Sequence, residues 1–128
     1  MNSKKALHTV LVPSTSFTTE AYWDGQGAEP AIRFGYPKDG SEIQGGIKFR
    51  NVCAMQKRAE RCCTEWHIRD VYDTLVEIED SDWVKEVRAD MDERWRNKWE
   101  THHYMIYFDS AGCFEVIAGF CEPLSTVA

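Results

Sequence analysis

Apolar and polar residues alternate most regularly near the end of this chain. In HHYMIYFDSAGCFEVIAGF, residues 102–120, two apolar-rich runs flank the polar break DSAG. The break predicts a β-hairpin over 103–121, with Gly112 in the left-handed position of a type I turn with a G1 bulge. That turn pairs Asp109 with Cys113. Phe108 then faces Phe114, Ile106 faces Val116 and Tyr104 faces Ala118, all on one side. The opposite side pairs Tyr107 with Glu115, Met105 with Ile117 and His103 with Gly119, and reads as a half-solvated face. A one-residue slip would set Ile106 against Glu115 and mix the two faces.

Upstream, the period becomes helical. In DSDWVKEVRADMDERWRNKW, Val84, Val87, Met91, Trp95 and Trp99 recur at three- and four-residue spacing, a continuous apolar stripe. Ser81 suits an N-cap, and Asp82 places a negative charge in the first turn, where the helix dipole favours it. One helical segment over 81–99 is predicted, with RADMD as a point where it divides in two. Shorter alternating runs predict strands at LHTVLV (7–12), AIRFGY (31–36), GGIKFRNVCAM (45–55, continuing to about Lys57) and VYDTLVEIE (71–79). Turn chemistry in YWDGQG and YPKDG separates the early strands and leaves Tyr22 and Trp23 in a glycine-bounded loop. Beyond about Lys57, the residues to 68 fit either a strand or a helix with Met55, Ala59, Cys62 and Trp66 on one stripe. The expected fold is α+β: a mainly antiparallel sheet of about five or six strands packed on the 81–99 helical segment, as a single domain over 1–128.

At 128 residues with 43% apolar content, the chain has enough material for a core. No apolar run approaches the 18 residues of a membrane span, and the first residues lack the apolar stretch of a secretion signal. Five cysteines, an odd number with Cys62 and Cys63 adjacent, make a poor disulfide framework. Free thiols in a reducing cytoplasm are the expectation.

Net charge is −6, but unevenly spread. Residues 1–64 carry nine Lys/Arg against six Asp/Glu, and residues 65–128 carry six against fifteen. On helical spacing Asp82, Glu86, Asp90 and Glu93 fall along one side. Like charges four apart repel by a few tenths of a kcal/mol, so folding gains nothing from the row. A basic protein partner would use it. The leading expectation is a small, non-enzymatic, cytoplasmic binding or regulatory protein, of inhibitor or immunity type, acting through this acidic face, with Tyr22 and Trp23 as a further interface anchor.

Chemistry-bearing groupings are few. His103, Tyr107 and Glu115 share one hairpin face, and a carboxylate beside a tyrosine and a histidine suits acid–base work in a pocket. A small enzyme or ligand-binding protein is therefore the alternative. Cys62, Cys63 and His67 are the metal-ligand candidates, at a spacing that matches no closed zinc pattern, and no metal or cofactor is expected. Lys48, Arg50, Lys57, Arg58 and Arg61, with Phe49 among them, form the sole nucleic-acid-like stretch. The acidic balance weighs against it.

Overall fold

The computed structural model describes residues 3–25 and 29–127. Among these, nine strands form two antiparallel sheets. The first sheet has the order β1 (Lys4–Thr9), β6 (Thr74–Ile78), β7 (His102–Phe108), β8 (Gly112–Ala118), β5 (Ala54–Arg58). The second has β2 (Thr19–Asp24), β3 (Ala31–Lys38), β4 (Ser41–Arg50), β9 (Phe120–Val127). The turn expected in YWDGQG lies partly outside the described residues.

The sheets face each other. Ile32, Phe34, Ile47 and Phe49 from one and Tyr104, Ile106, Phe108, Phe114 and Val116 from the other make a single buried cluster. Rings meet across the interface, Phe34 on Phe108 at 5.5 Å and Phe49 on Tyr104 at 5.8 Å. The expected packing of one sheet on a helix is thus replaced by sheet on sheet. The apolar positions of β3 and β4 supply the second face, because period two buries one side of every strand against a partner layer.

One bent ribbon joins the layers. The run expected as a single strand over 45–57 is two strands, β4 and β5, in different sheets. Asn51, with φ 56°, turns the chain between them. The partner strand bends at the same level, from β8 to β9, and Gly119 N–H donates to the Arg50 carbonyl at 2.9 Å. Pairing runs from Ala54 opposite Ile117 to Arg50 opposite Phe120, so three residues lie against two. This one-residue bulge is the device by which strands turn a corner between packed sheets.

The hairpin closes two residues from its expected register. Phe108 pairs with Gly112, Ile106 with Phe114, Met105 with Glu115 and His103 with Ile117. The faces are as expected, the facing partners are not. Gly112 does take positive φ, at 102°, and a Cβ there would sit 2.1 Å from the Arg58 carbonyl oxygen.

The outer face of β7 and β8 is not half-solvated. Met105, Tyr107, Cys113 and Glu115 are all buried. Residues 56–68 explain this. After β5 comes a 3-10 turn at Glu60–Cys62, then the four-residue α1 (Glu65–Ile68). Cys63, Trp66 and Ile68 pack over Val71, Val76, Met105, Tyr107 and Cys113 as a second cluster. Lys4 ties this cover to the edge strand, donating to the carbonyls of Trp66 and Arg69 at 2.6 and 2.7 Å.

The helical segment is divided as RADMD suggests, into α2 (Asp82–Asp90) and α3 (Glu93–Arg96). Met91 is extended, with ψ 139°, and Asp92 caps α3 by accepting from Arg94 N–H at 2.9 Å. Neither helix contributes a buried residue. They form a lobe held by arginines on backbone carbonyls. Arg88 donates to the carbonyls of Trp99 (3.1 Å) and Arg96, and Arg96 to that of Met91 (2.9 Å). No helix among the described residues is long and apolar enough to cross a membrane.

Candidate functional sites

The lobe meets the outer face of the first sheet through a buried polar chain. Ser81, the N-cap of α2, lies 2.7 Å from His103 Nδ1, and His103 Nε2 lies 2.8 Å from Glu115 Oε1. Gln56 Nε2 donates to the other Glu115 oxygen at 2.9 Å. Ser81 Oγ also accepts from Val84 N–H at 3.2 Å. Ser81, His103 and Glu115 are 6%, 7% and 8% exposed. Trp83 stands edge-on to the imidazole, ring centres 5.1 Å apart. Two sequence candidates, His103 and Glu115, therefore come together. The third does not, since Tyr107 lies opposite Cys113 and its ring packs on Tyr72 at 5.4 Å. Burial raises the Tyr107 hydroxyl to about 12, helped by the nearby Glu60 carboxylate. Ser81 was legible only as a helix cap; that it also meets His103 is a tertiary fact.

Burial raises the proton affinity of Glu115, yet the hydrogen bond and charge of His103, with the bond from Gln56, outweigh it. The carboxyl is held below its ordinary value. A depressed folded pKa means stability that is present above the unfolded value, about 4.3, and lost as pH falls through the folded one. Thermal melting should therefore decline with acidification below about pH 4.3, and Glu115→Gln should flatten that decline. A variant whose acid limb matched the parent's would remove Glu115 from the account.

Beside this chain lies an open cleft of about 320 Å³. Its wall includes Glu77, Asp80, Ser81, Lys85, His102 and His103. His102 Nδ1 is 2.8 Å from Glu77. Burial pulls its pKa down, but hydrogen bonds to Glu77 and Glu100 prevail and raise it.

A second surface lies on the other flank of the lobe. Val52, Cys53, Val87, Met91, Trp95 and Trp99 line an open groove of about 550 Å³, with Asp90 at its rim. Of the stripe expected to pack a helix onto the core, Val87, Met91, Trp95 and Trp99 instead wall this groove, while Val84 lines the cleft beside His103, and Trp95 is 46% exposed. Asp82, Glu86 and Asp90 fall along α2 as the spacing requires. The break at Met91 moves Glu93 onto α3, off that row. Lys85 reaches Asp80 and Asp82 at 2.9 and 3.7 Å. Glu86, Asp90 and Glu93 have no ion pair among the described residues.

Other candidates disperse. Tyr22 and Trp23 are in strand β2, not a loop. Trp23 packs toward Phe49 at 6.1 Å, and Tyr22 is exposed. Cys62 is exposed, while Cys63 Sγ donates to the carbonyls of Arg58 and Ala59. His67 Nδ1 accepts from Thr64 N–H at 2.9 Å. Among the described residues no group of three His, Cys, Asp or Glu is placed to hold an ion. The basic stretch is split by the corner: Lys48 and Arg50 lie in β4, Lys57 and Arg58 in β5. Lys48 and Arg50 both pair with Glu29, at 2.7 and 3.1 Å.

Protein-family models, curated proteins and solved structures were each compared with this chain, and none matches.

Proposed function

We propose that this chain is a small protein-binding, regulatory protein of inhibitor or immunity type, and that the α2–α3 lobe is its recognition surface. The observation that carries this is the groove. An apolar trough with two tryptophans, unfilled by any described residue of the chain, includes Asp90, a carboxylate with no ion pair among the described residues. Half-exposed tryptophans supply large contact area and are the commonest interface anchors. Glu86, Asp90 and Glu93 add a field that steers a positively charged surface to the same place. The partner that fits is a protein with a basic patch around an apolar protrusion. With all five cysteines free, a reducing cytoplasm is the compartment we propose. The split and ion-paired basic stretch gives a nucleic-acid reading no comparable surface.

The test uses a defined ligand set: basic amphipathic peptides, their acidic counterparts and scrambled controls, titrated by calorimetry at 50 and 300 mM salt. Basic amphipathic peptides should bind, and more weakly at the higher salt, since screening is strong over about 10 Å at 0.1 M. Trp95→Ala should lower affinity at least tenfold, and Asp90→Lys with Glu86→Lys should remove the salt dependence. Binding of acidic and basic peptides alike, or binding untouched by these variants, would refute the reading.

A further inference from the structure

The chain Ser81–His103–Glu115 has every polar atom arranged for more than bracing the lobe. Val84 N–H already donates to Ser81 Oγ. The serine proton is then free to point at His103 Nδ1, provided the other ring nitrogen carries the imidazole proton, and Glu115 accepts at that nitrogen from 2.8 Å. Serine, base and orienting carboxylate are thus in series at 2.7 and 2.8 Å. Such a series is recognised by roles and geometry on any fold. Here the two imidazole nitrogens have exchanged places relative to the familiar hydrolase arrangement, which leaves the chemistry of the base unchanged.

Three further features converge on the same point. Ser81 and His103 both belong to the wall of the 320 Å³ cleft. Ser81 caps a nine-residue helix whose first-turn amides, those of Asp82 and Trp83, carry no hydrogen bond among the described residues. Amides in that position are donors for an oxyanion. The helix dipole and Val84 N–H also stabilise negative charge developing on Oγ.

We propose that Ser81, His103 and Glu115 form an acyl-transfer centre that hydrolyses small neutral or cationic esters. This goes beyond the docking reading and does not depend on it. Ser81 Oγ attacks the ester carbonyl carbon and its proton passes to His103 Nδ1. As the carbon–oxygen bond to the leaving group breaks, His103 returns that proton to the departing alkoxide, which leaves as the alcohol. Water then gives a proton to His103 and its oxygen attacks the acyl-serine; the acid departs and Ser81 regains its hydrogen. Glu115 is a positioning residue that holds the imidazole tautomer. Substrate class follows from the cleft: Glu77, Glu79 and Asp80 line it, and the one lysine, Lys85, is engaged by Asp80 at 2.9 Å. Anionic esters are repelled. A cleft of about 320 Å³ is of a size to hold a small acyl and leaving group.

The full chain is incubated with a fluorophosphonate probe, and the adduct is mapped by peptide mass spectrometry. One equivalent on Ser81 is expected, absent from Ser81→Ala, with p-nitrophenyl acetate as competitor and substrate. Glu115→Gln should lower kcat for that ester at least tenfold at unchanged KM, a split that a purely structural carboxylate would not produce. A folded parent protein left unlabelled, a label on another residue, or ester turnover equal in Ser81→Ala would overturn the proposal. Should Ser81→Ala fail to fold, the mapped position of the label in the parent decides alone.

Discussion

Phe114→Ala should cost about 3–5 kcal/mol of unfolding free energy, measured by urea titration at neutral pH. Phe114 is fully buried in the cluster between the sheets. Its ring stands edge-on to Phe108 at 6.0 Å, it faces Ile106 across the hairpin, and Lys57 Nζ lies 5.4 Å from its centre. Truncation removes the ring's transfer free energy and opens a void that two paired sheets are too stiff to close. Domains of this size are stable by only about 5–15 kcal/mol, so the variant should be unfolded in part at 37 °C. The slope of the titration should not change, because the surface exposed on unfolding is nearly the same. A loss below about 1 kcal/mol, the size of an ordinary surface substitution's effect or slightly more, would mean that the sheets do not close over this ring.

The same residue shows what the sequence carries and what it omits. Alternation placed Phe114, Phe108, Ile106 and Val116 on one face, and they are buried together. It could not fix which residue stands opposite which. A two-residue slip keeps every side chain on its own face, so the apolar pattern scores both registers equally. Tertiary contact decides between them. Gly112 packs so closely on the Arg58 carbonyl that no side chain fits, and Ser110 takes φ 66° in a three-residue loop. The slip has a consequence for the site. It carries Glu115 from a place opposite Tyr107 to one opposite Met105, a diagonal step from His103. Histidine and carboxylate were legible as face-mates; their hydrogen bond was not.

The corner at Asn51 was hidden for a related reason. β4 and β5 alternate in phase with each other, so one long strand and two bent ones look alike until φ turns positive. The cover over the outer face was hidden because Cys63, Trp66 and Ile68 follow no single period. The helix start was legible, since a cap and a first-turn charge are local. The role of the stripe was not: spacing tells that Val87, Met91 and Trp95 share a side, but not whether a core or an open groove receives them.

His103→Leu should be the most costly change at the candidate site, at about 3–5 kcal/mol near neutral pH, as when one partner of a buried pair is removed. Glu115 would remain 92% buried by its present packing, keeping only the bond from Gln56. Ser81 Oγ would keep only Val84 N–H, and Trp83 would lose the ring it stands against. Most of the penalty is the stranded carboxylate, and that makes a distinct demand. Removing it as well, in His103→Leu with Glu115→Leu, should recover most of the stability, because an apolar pair of similar volume is often neutral where a buried ionic pair stood. The pH response of the single variant should also invert. In the parent the Glu115 carboxyl is held low, so acid destabilises. Without His103, burial is left largely unopposed and raises the folded pKa above the unfolded value. The penalty for the buried charge then applies at high pH and is relieved as the group takes up a proton. Relative to the parent, the single variant should gain stability as pH falls from 7 toward 5, while the double variant shows no trend relative to the parent from this site. Melting curves of the three proteins across that range decide it. A single variant that melts like the parent, or a double variant no better than the single, would show that water reaches Glu115 and that the chain from Ser81 to Glu115 is not closed.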